Sequence, residues 1–575
     1  MDCNVIRDIL LDERNIGAIV CKENESYNDI TYDCLAICDL ILSEKRIPIA
    51  IGINDAWQID LFDFYIRGYE SFRFIPHISK NGKLCLYDLE GALIDTQFEG
   101  LLHQCIDQAR TIIYAGLTGE NRHDFIKEFY AYWLDLPGVV FAKFEVLERN
   151  SFEMLKYIYN IPHRNSRESV SAYQKKLQVV PLYACLEGSK LFQTWKITGT
   201  QKNGLYARIK LEDYVYPPDP RYHLSVKYVN DILKLIEKTE IEVMIRKLSR
   251  TAALVFDLFQ PDGSRVFIGI LFENGRVEES SDAFQLSDDT RVRPLIIQRI
   301  DTESLQCRTA EMANPLREKR IIIIGCGSIG GYIAEMLVKS GCRQLTLVDN
   351  QKMYEENIFR HILGMKYVDQ YKTVALYDYL SSNVPDVTIR SVEDTIQNVV
   401  IDGSIDLADY DIVVAATGNH NVNRWINKYI IDCNIKTVVV YPWTEPLDIG
   451  CHVVVDDYSL EGNYEDLFAR DVNGVLFDQS AFCRPDQVIT RNLYGCGGSY
   501  IPYGSGASIQ AASMTIEVIK RYITNRVVQN AIISFKGNGF FFHSAGMRHT
   551  EMYEKQLMSY HEENISDLKK RSCNL

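Results

Sequence analysis

The chain has 575 residues, which at roughly 100–200 residues per domain predicts three or four domains. Hydrophobic residues make up 46% and charged residues 24%, which excludes a disordered chain and is typical of a globular one. With 62 Lys and Arg against 77 Asp and Glu, the net charge is −15. That balance argues against a protein that coats nucleic acid and leaves room only for a local basic patch.

Fifteen cysteines are scattered along the chain, and the cellular compartment of the protein determines whether their thiols are reduced or form disulfides. Six charged residues within Met1–Arg14 predict no secretory leader. The longest apolar segment, Ile321–Val338, contains four glycines and Glu335, and so predicts no membrane span. We therefore expect a cytoplasmic protein with reduced thiols, a few of which do chemistry.

Residues 1–150 carry the pattern of an α+β domain. Apolar periodicity near the start predicts a helix, alternation then predicts strands, and longer periodic segments predict further helices. The predicted strands and later helices are Ile47–Ile53, Phe62–Ile66, Thr96–Ala115 and Asp124–Leu134. A helix, then a meander of strands, then helices is the order of an α+β domain.

Residues 151–305 predict a mixed α/β linker domain. One helix pattern covers Val229–Lys238, and short strands alternate with turn signals. The predicted strands are Leu205–Leu211, Ala252–Phe259 and Arg265–Leu271. Since no residues in this range have a catalytic spacing, we expect a connector that orients its neighbours.

Residues 306–575 alternate between apolar strands and amphipathic helices, which predicts a Rossmann-like, doubly wound α/β sheet. The predicted parallel strands are Ile321–Ile324, Gln344–Val348, Val387–Ser391, Ile412–Ala416 and Thr437–Val440. His549–Leu575 is polar and helix-prone, and we expect a peripheral tail there.

The first of these strands runs into a GxGxxG loop that opens a helix. Gly325 permits the tight turn, Gly327 lets the backbone approach a phosphate, and Gly330 allows the helix to pack on the strand. Asp349 ends the next strand, where a carboxylate binds ribose hydroxyls. Strand, loop, helix, strand and Asp in this order predict nucleotide binding rather than a glycine turn that only packs.

Three polar residues follow that Asp closely, namely Asn357, Arg360 and Lys372. Two cations near the predicted nucleotide suit a triphosphate, whose charge grows during nucleophilic displacement, better than NAD. Each cation taken alone is more typical of a solvated surface, so the prediction depends on their placement after the ribose-binding position.

These motifs resemble the ubiquitin-activating enzyme superfamily, of the ThiF and MoeB adenylating type, over about residues 306–525. The resemblance implies ATP and Mg²⁺, a homodimer, and adenylation of a protein's C-terminal carboxylate. It also implies that the nucleotide-binding residues are Gly325, Gly327, Gly330, Asp349, Asn357, Arg360 and Lys372. Gly418 stands where the family has an Asp associated with magnesium, so no metal ligand is assigned, and Asn419 or an acidic residue elsewhere would have to substitute. Arg308 is the candidate for the family's arginine that reaches ATP across the dimer.

Sulfur-transfer members of this superfamily carry two CxxC pairs that hold zinc, and this sequence has none. The nearest spacing is that of Cys34 and Cys38, which would lie one turn apart on a helix and for which we expect core packing. Cys483 and Cys496 are a more distant pair.

A thiol near the nucleotide could capture an acyl-adenylate as a thioester, provided that it is exposed and flexible. Cys496 fits best, because the glycines on both sides of it leave room for an incoming chain end. Cys451 and Cys483 lie in the same crossover segment and remain alternatives.

A second thiol, Cys85, follows an Asn-Gly turn, where a cysteine alone would most often be a strand residue. The segment resembles the active site of ubiquitin-conjugating enzymes, in which His-Pro-Asn precedes the catalytic Cys. Here the tripeptide is Ile75–His77, so His77 stands at the position of the Asn that polarises the thioester carbonyl. The resemblance covers residues 1–150 and implies that Cys85 and His77 are catalytic, with His77 donating a hydrogen bond or transferring a proton.

The order of conjugating-like domain, linker and activating domain resembles the bacterial fusion proteins of CBASS anti-phage systems. That resemblance implies a cytoplasmic enzyme that activates the C-terminus of a cGAS-like nucleotidyltransferase (CD-NTase), carries it on Cys496 and then Cys85, and joins it to a target amine. From the charge balance and the broken apolar segment we also expect no direct contact with nucleic acid or membrane. An NAD-dependent oxidoreductase, a sulfur-carrier adenylyltransferase and an inactive nucleotide-binding scaffold remain as alternatives.

Overall fold

The computed structural model describes residues 2–42, 45–87, 94, 97–146, 150–160, 181–189, 191–279, 283–305, 315–384, 387–492, 499–524, 527 and 529–572. The chain divides into two compact units, Met1–Ile300 and Asp301–Leu575. Within those ranges, no helix has the length and apolar character needed to cross a membrane.

The first unit begins with a four-stranded antiparallel sheet in the order β1-β2-β3-β4. Its elements are α1 (Cys3–Asp12), β1 (Ile16–Tyr27), β2 (Ile30–Leu42), β3 (Lys45–Ile53), α2 (Trp57–Asp60), β4 (Asp63–Ile66) and α3 (Phe98–Thr118). Apolar side chains of α1 and α3, such as Ile6, Leu102 and Ile106, are buried in one core with the sheet. The α+β prediction for this region is confirmed.

Three cysteines of this core differ from the sequence prediction. Cys3 at the start of α1 and Cys34 in β2 form a disulfide, with Cα atoms 5.7 Å apart, so the expectation of reduced thiols is wrong for this pair. Cys34 and Cys38 are both buried, as expected, but on strand β2 and not on a helix. Residues four apart share a face of a strand as they do of a helix, which is why the spacing alone misled.

A closed seven-stranded barrel completes the first unit, in the order β10-β13-β5-β7-β6-β8-β9. The elements of this part of the chain are α4 (Asp124–Lys127), α5 (Phe129–Leu134), β5 (Val140–Glu145), β6 (Phe152–Ile158), β7 (Leu182–Leu186), α6 (Leu191–Thr194), β8 (Lys202–Lys210), α7 (Val226–Leu233), α8 (Lys238–Ile245), β9 (Ala252–Phe259), β10 (Arg265–Glu273), β11 (Val277–Glu279), β12 (Phe284–Leu286) and β13 (Arg291–Arg299). Strands β11 and β12 pair with each other outside the barrel. Strand β5 comes from before residue 151, so the barrel draws on chain that the sequence placed in the first domain.

Two buried or half-buried side chains hold different parts of this unit together. Trp133 of α5 is buried and donates its indole N–H to the Leu295 carbonyl of β13 at 3.0 Å. Arg221, which is ion-paired to Asp219, donates to the carbonyls of Tyr69 at 2.6 Å and Phe72 at 2.8 Å. The barrel therefore fixes backbone of the sheet region, and is more than a spacer.

The second unit is built on an eight-stranded sheet in the order β16-β15-β14-β17-β18-β19-β24-β25. Its elements are α9 (Thr302–Leu305), β14 (Arg320–Ile324), α10 (Ser328–Lys339), β15 (Gln344–Val348), α11 (Lys372–Asn383), β16 (Thr388–Val392), α12 (Ile396–Ile401), β17 (Ile412–Ala415), α13 (His420–Asp432), β18 (Val438–Thr444), β19 (Gly450–Asp457), β20 (Phe468–Arg470), β21 (Leu476–Asp478), β22 (Arg491–Asn492), β23 (Ser499–Tyr500), α14 (Ser505–Ile523), β24 (Ala531–Lys536), α15 (Phe540–Ser544), α16 (Glu551–Lys555), β25 (Tyr560–Asn564) and α17 (Ile565–Ser572).

The parallel part of this sheet sets the position of the site. Strands β16, β15, β14, β17 and β18 are parallel, and all five predicted strands are present. After β16 the chain crosses to the other side of β14, which makes a switch point beside β14. Ligands of such sheets bind outside the carboxyl ends of the strands at the switch point.

The end of the chain differs from the prediction of a peripheral tail. β25 pairs with β24 and is the edge strand of the sheet. In α17, Ile565 and Leu568 are buried in the core on one face of the sheet. The residues of β25 are mostly polar and exposed, which hides an edge strand from a search for apolar alternation.

We expect Arg221→Ala to destabilise the protein by about 2 kcal/mol, because the change leaves Asp219 without its partner and two backbone carbonyls without a donor. Thermal unfolding of the full chain measures this. The control is Arg246→Ala, which removes an exposed ion pair with Glu242 and should change stability by less than about 0.5 kcal/mol. Equal effects of the two changes would contradict the role given to Arg221.

Candidate active site

The glycine loop after β14 has no room for side chains at two of its positions. Gly325 has φ of +92°, and a Cβ there would lie 2.6 Å from the Ala416 carbonyl. A Cβ on Gly330 would lie 1.9 Å from the Gly325 carbonyl. At Gly327 the space is open, so its backbone can be approached from outside at the start of α10. The loop thus has the shape that a phosphate-binding turn needs.

Asp349, directly after β15, holds the glycine loop from the side. Its carboxylate accepts the Cys326 N–H at 2.7 Å and the Gln351 N–H at 2.8 Å. Each carboxylate oxygen has a second lone pair for a further donor, such as a ribose hydroxyl.

Lys372, the first residue of α11, is buried beside this carboxylate. Its ammonium donates to the Gln351 side-chain oxygen at 2.8 Å. Burial lowers the pKa of Lys372, and the nearby Asp349 opposes that shift. The ammonium is therefore fixed in place next to the glycine loop.

Arg360 and Asn357 lie in the turn between β15 and α11. The guanidinium of Arg360 lies over the ring of Tyr503, 5.2 Å from its centre, and the Tyr503 hydroxyl is 2.9 Å from the Ser328 hydroxyl at the start of α10. Asn357 accepts the Tyr354 N–H at 3.1 Å through its side-chain oxygen, and so closes the turn that carries Arg360. The predicted residues are brought together, and their role as nucleotide ligands stays a prediction.

The loop after β17 offers no carboxylate at the position where the family has one. Gly418 has φ of +66°, and the Asn419 side-chain oxygen accepts the Asn421 N–H at 2.9 Å as the cap of α13. Asn419 is thus engaged in capping the helix. Among the described residues, no group of three or more His, Cys, Asp or Glu side chains is arranged to hold a metal ion.

Two of the three cysteines considered as acyl acceptors in the second unit are buried. Cys451 and Cys483 are buried, and burial raises the pKa of Cys451 to about 12 and that of Cys483 to about 11. Thiols of that kind are poor nucleophiles at neutral pH. Cys496 and Arg308 lie outside the described residues.

Cys85 is exposed and follows a tight hairpin that is fixed by backbone hydrogen bonds. Its N–H donates to the His77 carbonyl at 2.8 Å, and Ser79 and Lys83 are bonded across the turn. Gly82 has φ of +82°, with a Cβ position only 2.8 Å from the Ile66 carbonyl, so glycine is required there. The Asn-Gly turn read from the sequence therefore places the thiol at the protein surface.

His77 is the residue opposite Cys85 in this hairpin, and it has φ of +62°. Its Nδ1 lies 2.7 Å from a Glu128 oxygen, and its Nε2 lies 3.1 Å from an Asp124 oxygen. Its backbone N–H donates to the Tyr132 hydroxyl at 2.7 Å. The hydrogen bond with Glu128 raises the pKa of His77 and favours the imidazolium, so a proton transfer by this ring would require one of the two ion pairs to open.

Sequence reasoning missed five side chains of these two sites: Asp124, Glu128, Gln351, His361 and Tyr503. The first two are four residues apart in the predicted helix Asp124–Leu134, which places them on one face. The partner of that face could not be known without the fold. Of the five, His361 could most easily have been predicted from the sequence, because it directly follows Arg360.

An open groove of about 720 Å³ lies beside the start of α14 in the second unit. Its lining includes Asp448, Gly450, Gly506, Ala507, Phe541 and Leu557. Phe541 and Leu557 are 63% and 93% exposed, so part of the lining is apolar surface open to solvent. The Gly504 N–H, one residue after Tyr503, donates to Asp448, so the groove begins next to the residue under Arg360.

Comparison with known proteins identifies both regions. The ThiF family matches residues 303–556, and Prokaryotic E2 family B matches residues 39–140. The chain is 24% identical over 461 residues to the ATP-dependent ubiquitin transferase-like protein Cap2 of Pseudomonas aeruginosa, covering 77% of this chain and 79% of that protein. The protein of the same name from Escherichia coli is 24% identical over 496 residues, with the same shares covered. The chain is therefore a fusion of a prokaryotic E2-like domain with a ThiF-type adenylation domain, the domain pair of a ubiquitin-like activating and conjugating enzyme.

Proposed function

We propose that this enzyme adenylates the C-terminal carboxylate of a partner protein with ATP, carries the acyl group on Cys496 and then on Cys85, and joins it to a target amine. The observation that carries the proposal is the pairing, in one chain, of a glycine loop backed by Asp349 and Lys372 with an exposed thiol on a fixed hairpin. The similarity to ATP-dependent ubiquitin transferase-like proteins supports the same reaction class.

In the adenylation step, a carboxylate oxygen of the partner attacks the α-phosphorus of ATP, and pyrophosphate leaves. The amides at the start of α10 face the phosphates, and Lys372 and Arg360 offset the negative charge that develops on them. Mg²⁺ would enter with the nucleotide, bound to its phosphates. We assign it no protein ligand, because Asn419 caps a helix and Gly418 has no side chain.

In the transfer steps, the thiolate of Cys496 displaces AMP from the adenylate, and the thiolate of Cys85 then displaces Cys496 from the thioester. Both steps exchange one acyl bond for another and need no redox partner. The choice of Cys496 is supported by its flanking glycines and by the burial of Cys451 and Cys483. His77 would orient the hairpin that carries Cys85 and place a positive charge near the final thioester.

For the partner, we propose the C-terminus of a cGAS-like nucleotidyltransferase in a CBASS anti-phage system, with the enzyme acting as a cytoplasmic homodimer. The groove beside α14 supports a chain-end substrate, since it is open, apolar along one wall and continuous with the residues around Arg360. An extended C-terminal segment would lie in it with its carboxylate toward the glycine loop.

Lys372→Ala should weaken ATP binding by about 10- to 100-fold, because a buried ammonium next to the phosphates is removed. Isothermal titration of the full chain with ATP and magnesium measures the Kd. The matched control is Lys366→Ala, whose side chain is 76% exposed and should leave the Kd unchanged. Unchanged binding in Lys372→Ala would contradict the site, and no ATP binding by the unaltered protein would favour the inactive scaffold.

Cys496→Ala should abolish every reductant-sensitive adduct between enzyme and partner, and Cys85→Ala should leave only the adduct on Cys496. The reason is the order of the relay, in which Cys496 loads first. Non-reducing gels after incubation with ATP, magnesium and a CD-NTase from the same genomic neighbourhood show this. Cys433→Ala, which alters another exposed thiol, should retain both adducts. Both adducts persisting in Cys85→Ala would rule out its assignment.

Gly506→Leu should lower partner-dependent pyrophosphate release at least about 10-fold and leave the Kd for ATP unchanged, because the new side chain fills the groove and not the nucleotide site. The control is Ile509→Phe, which adds bulk to an exposed position of the same helix that does not line the groove. A loss of ATP binding in Gly506→Leu would show that the groove and the nucleotide site are not separable.

A further inference from the structure

His361 is a buried histidine behind the glycine loop that the reaction described above does not use. Its Nε2 lies 2.8 Å from the Cys326 carbonyl, and its Nδ1 accepts the Leu363 N–H at 3.1 Å. A carbonyl can only accept and an N–H can only donate, so the proton of the ring must be on Nε2. The two contacts together fix one neutral tautomer.

The surroundings of the ring agree with the neutral form. The cations Lys372 and Arg360 lie near the ring. The carboxylate of this site, Asp349, lies near Lys372 and near the buried Cys326 thiol. Burial, together with these two cations, lowers the pKa of His361 to about 4. A third positive charge next to them would be unfavourable.

A fourth glycine explains how the ring fits behind the loop. The motif continues Gly330-Gly331, and Gly331 is not part of the GxGxxG pattern. A Cβ on Gly331 would lie 3.1 Å from the His361 Cε1 atom and 3.3 Å from its Nε2. The absence of a side chain at Gly331 therefore leaves the space in which the imidazole reaches the Cys326 carbonyl.

The contact matters because Cys326 stands between two glycines. Peptide groups next to glycine rotate easily, and a rotated Cys326 carbonyl would point its negative end at a phosphate. Asp349 holds the N–H of Cys326 and His361 holds its carbonyl. With both backbone groups of Cys326 bonded, the loop keeps its amides available for an anion.

We propose that His361 is a positioning residue for nucleotide binding, which holds the Cys326 carbonyl away from the phosphates and so keeps the glycine loop in its binding form. The inference rests on the proposed function, since it takes ATP as the ligand of the loop. It adds a residue that acts through the backbone and does not touch the substrate.

The test compares two variants of similar size. In His361→Gln the amide nitrogen can still donate to the Cys326 carbonyl, whereas His361→Leu fills the space without a donor. We expect His361→Leu to raise the Kd and the KM for ATP by about 10-fold, with a smaller change in kcat, and His361→Gln to stay within about 2-fold of the unaltered protein. ATP titration and partner-dependent pyrophosphate release provide these values.

Two results would overturn the inference. One is unchanged ATP binding in His361→Leu, and the other is an equal loss in both variants, which would mean that packing and not the hydrogen bond matters. Thermal unfolding of the variants shows whether both are folded. If one of them does not fold, the inference is tested by nuclear magnetic resonance of the unaltered protein.

Nuclear magnetic resonance of the full chain with ¹⁵N-labelled histidine tests the ring itself. We expect the Nε2–H tautomer with no titration between pH 8 and about pH 5. A ring that titrates near its ordinary pKa, in a protein that binds ATP, overturns the inference alone. Failure of the unaltered protein to bind ATP, with the expected tautomer present, overturns the proposed function and the role of His361 with it.

Discussion

A glycine turn with the shape of a phosphate-binding loop has to leave its backbone accessible, which requires glycines, and also has to keep one fixed shape. In the second unit, residues outside the loop supply that fixed shape. Gly325 and Gly330 must be glycines because a Cβ at either position would collide with backbone. The same residues lose the most conformational freedom on folding and hold a shape poorly on their own. The shape is therefore held from outside the loop, by a carboxylate from the end of β15 and an imidazole from the turn after it. The parallel sheet contributes by bringing those elements to one edge.

The thiol in the first unit shows the same arrangement in another fold. Cys85 stands at the end of a hairpin whose turn needs Gly82. The hairpin is held by His77, which is paired with Asp124 of α4 and with Glu128, the residue between α4 and α5. Those helices are anchored on the barrel through Trp133, and Arg221 holds the carbonyls of residues just before the hairpin. The barrel, expected to be a connector, thus takes part in placing the thiol.

The parts of the fold that the sequence could predict are those set by neighbouring residues. Most of the parallel strands are short apolar runs, and the glycine loop with its Asp is encoded within about thirty residues. The barrel could not be read because its strand order brings β5 between β13 and β7, pairings that depend on distant chain. The edge strand Tyr560–Asn564 was not predicted, because its polar side chains on an exposed edge show no apolar alternation. In the two sites, the residues that belong to a sequence motif could be predicted. Glu128 and Tyr503 could not, because Glu128 contacts His77 from 51 residues away and Tyr503 contacts Ser328 from 175 residues away.

The position of β25 has a consequence for synthesis of the protein. The sheet that carries the nucleotide loop is complete only when Tyr560–Asn564 has paired with β24 and Ile565 and Leu568 have entered the core. On the ribosome, the first unit can fold while the second is still being made, but β24 remains an unprotected edge until Tyr560–Asn564 has emerged. The half that carries Cys85 is thus formed early, and the half that carries the glycine loop completes its sheet later.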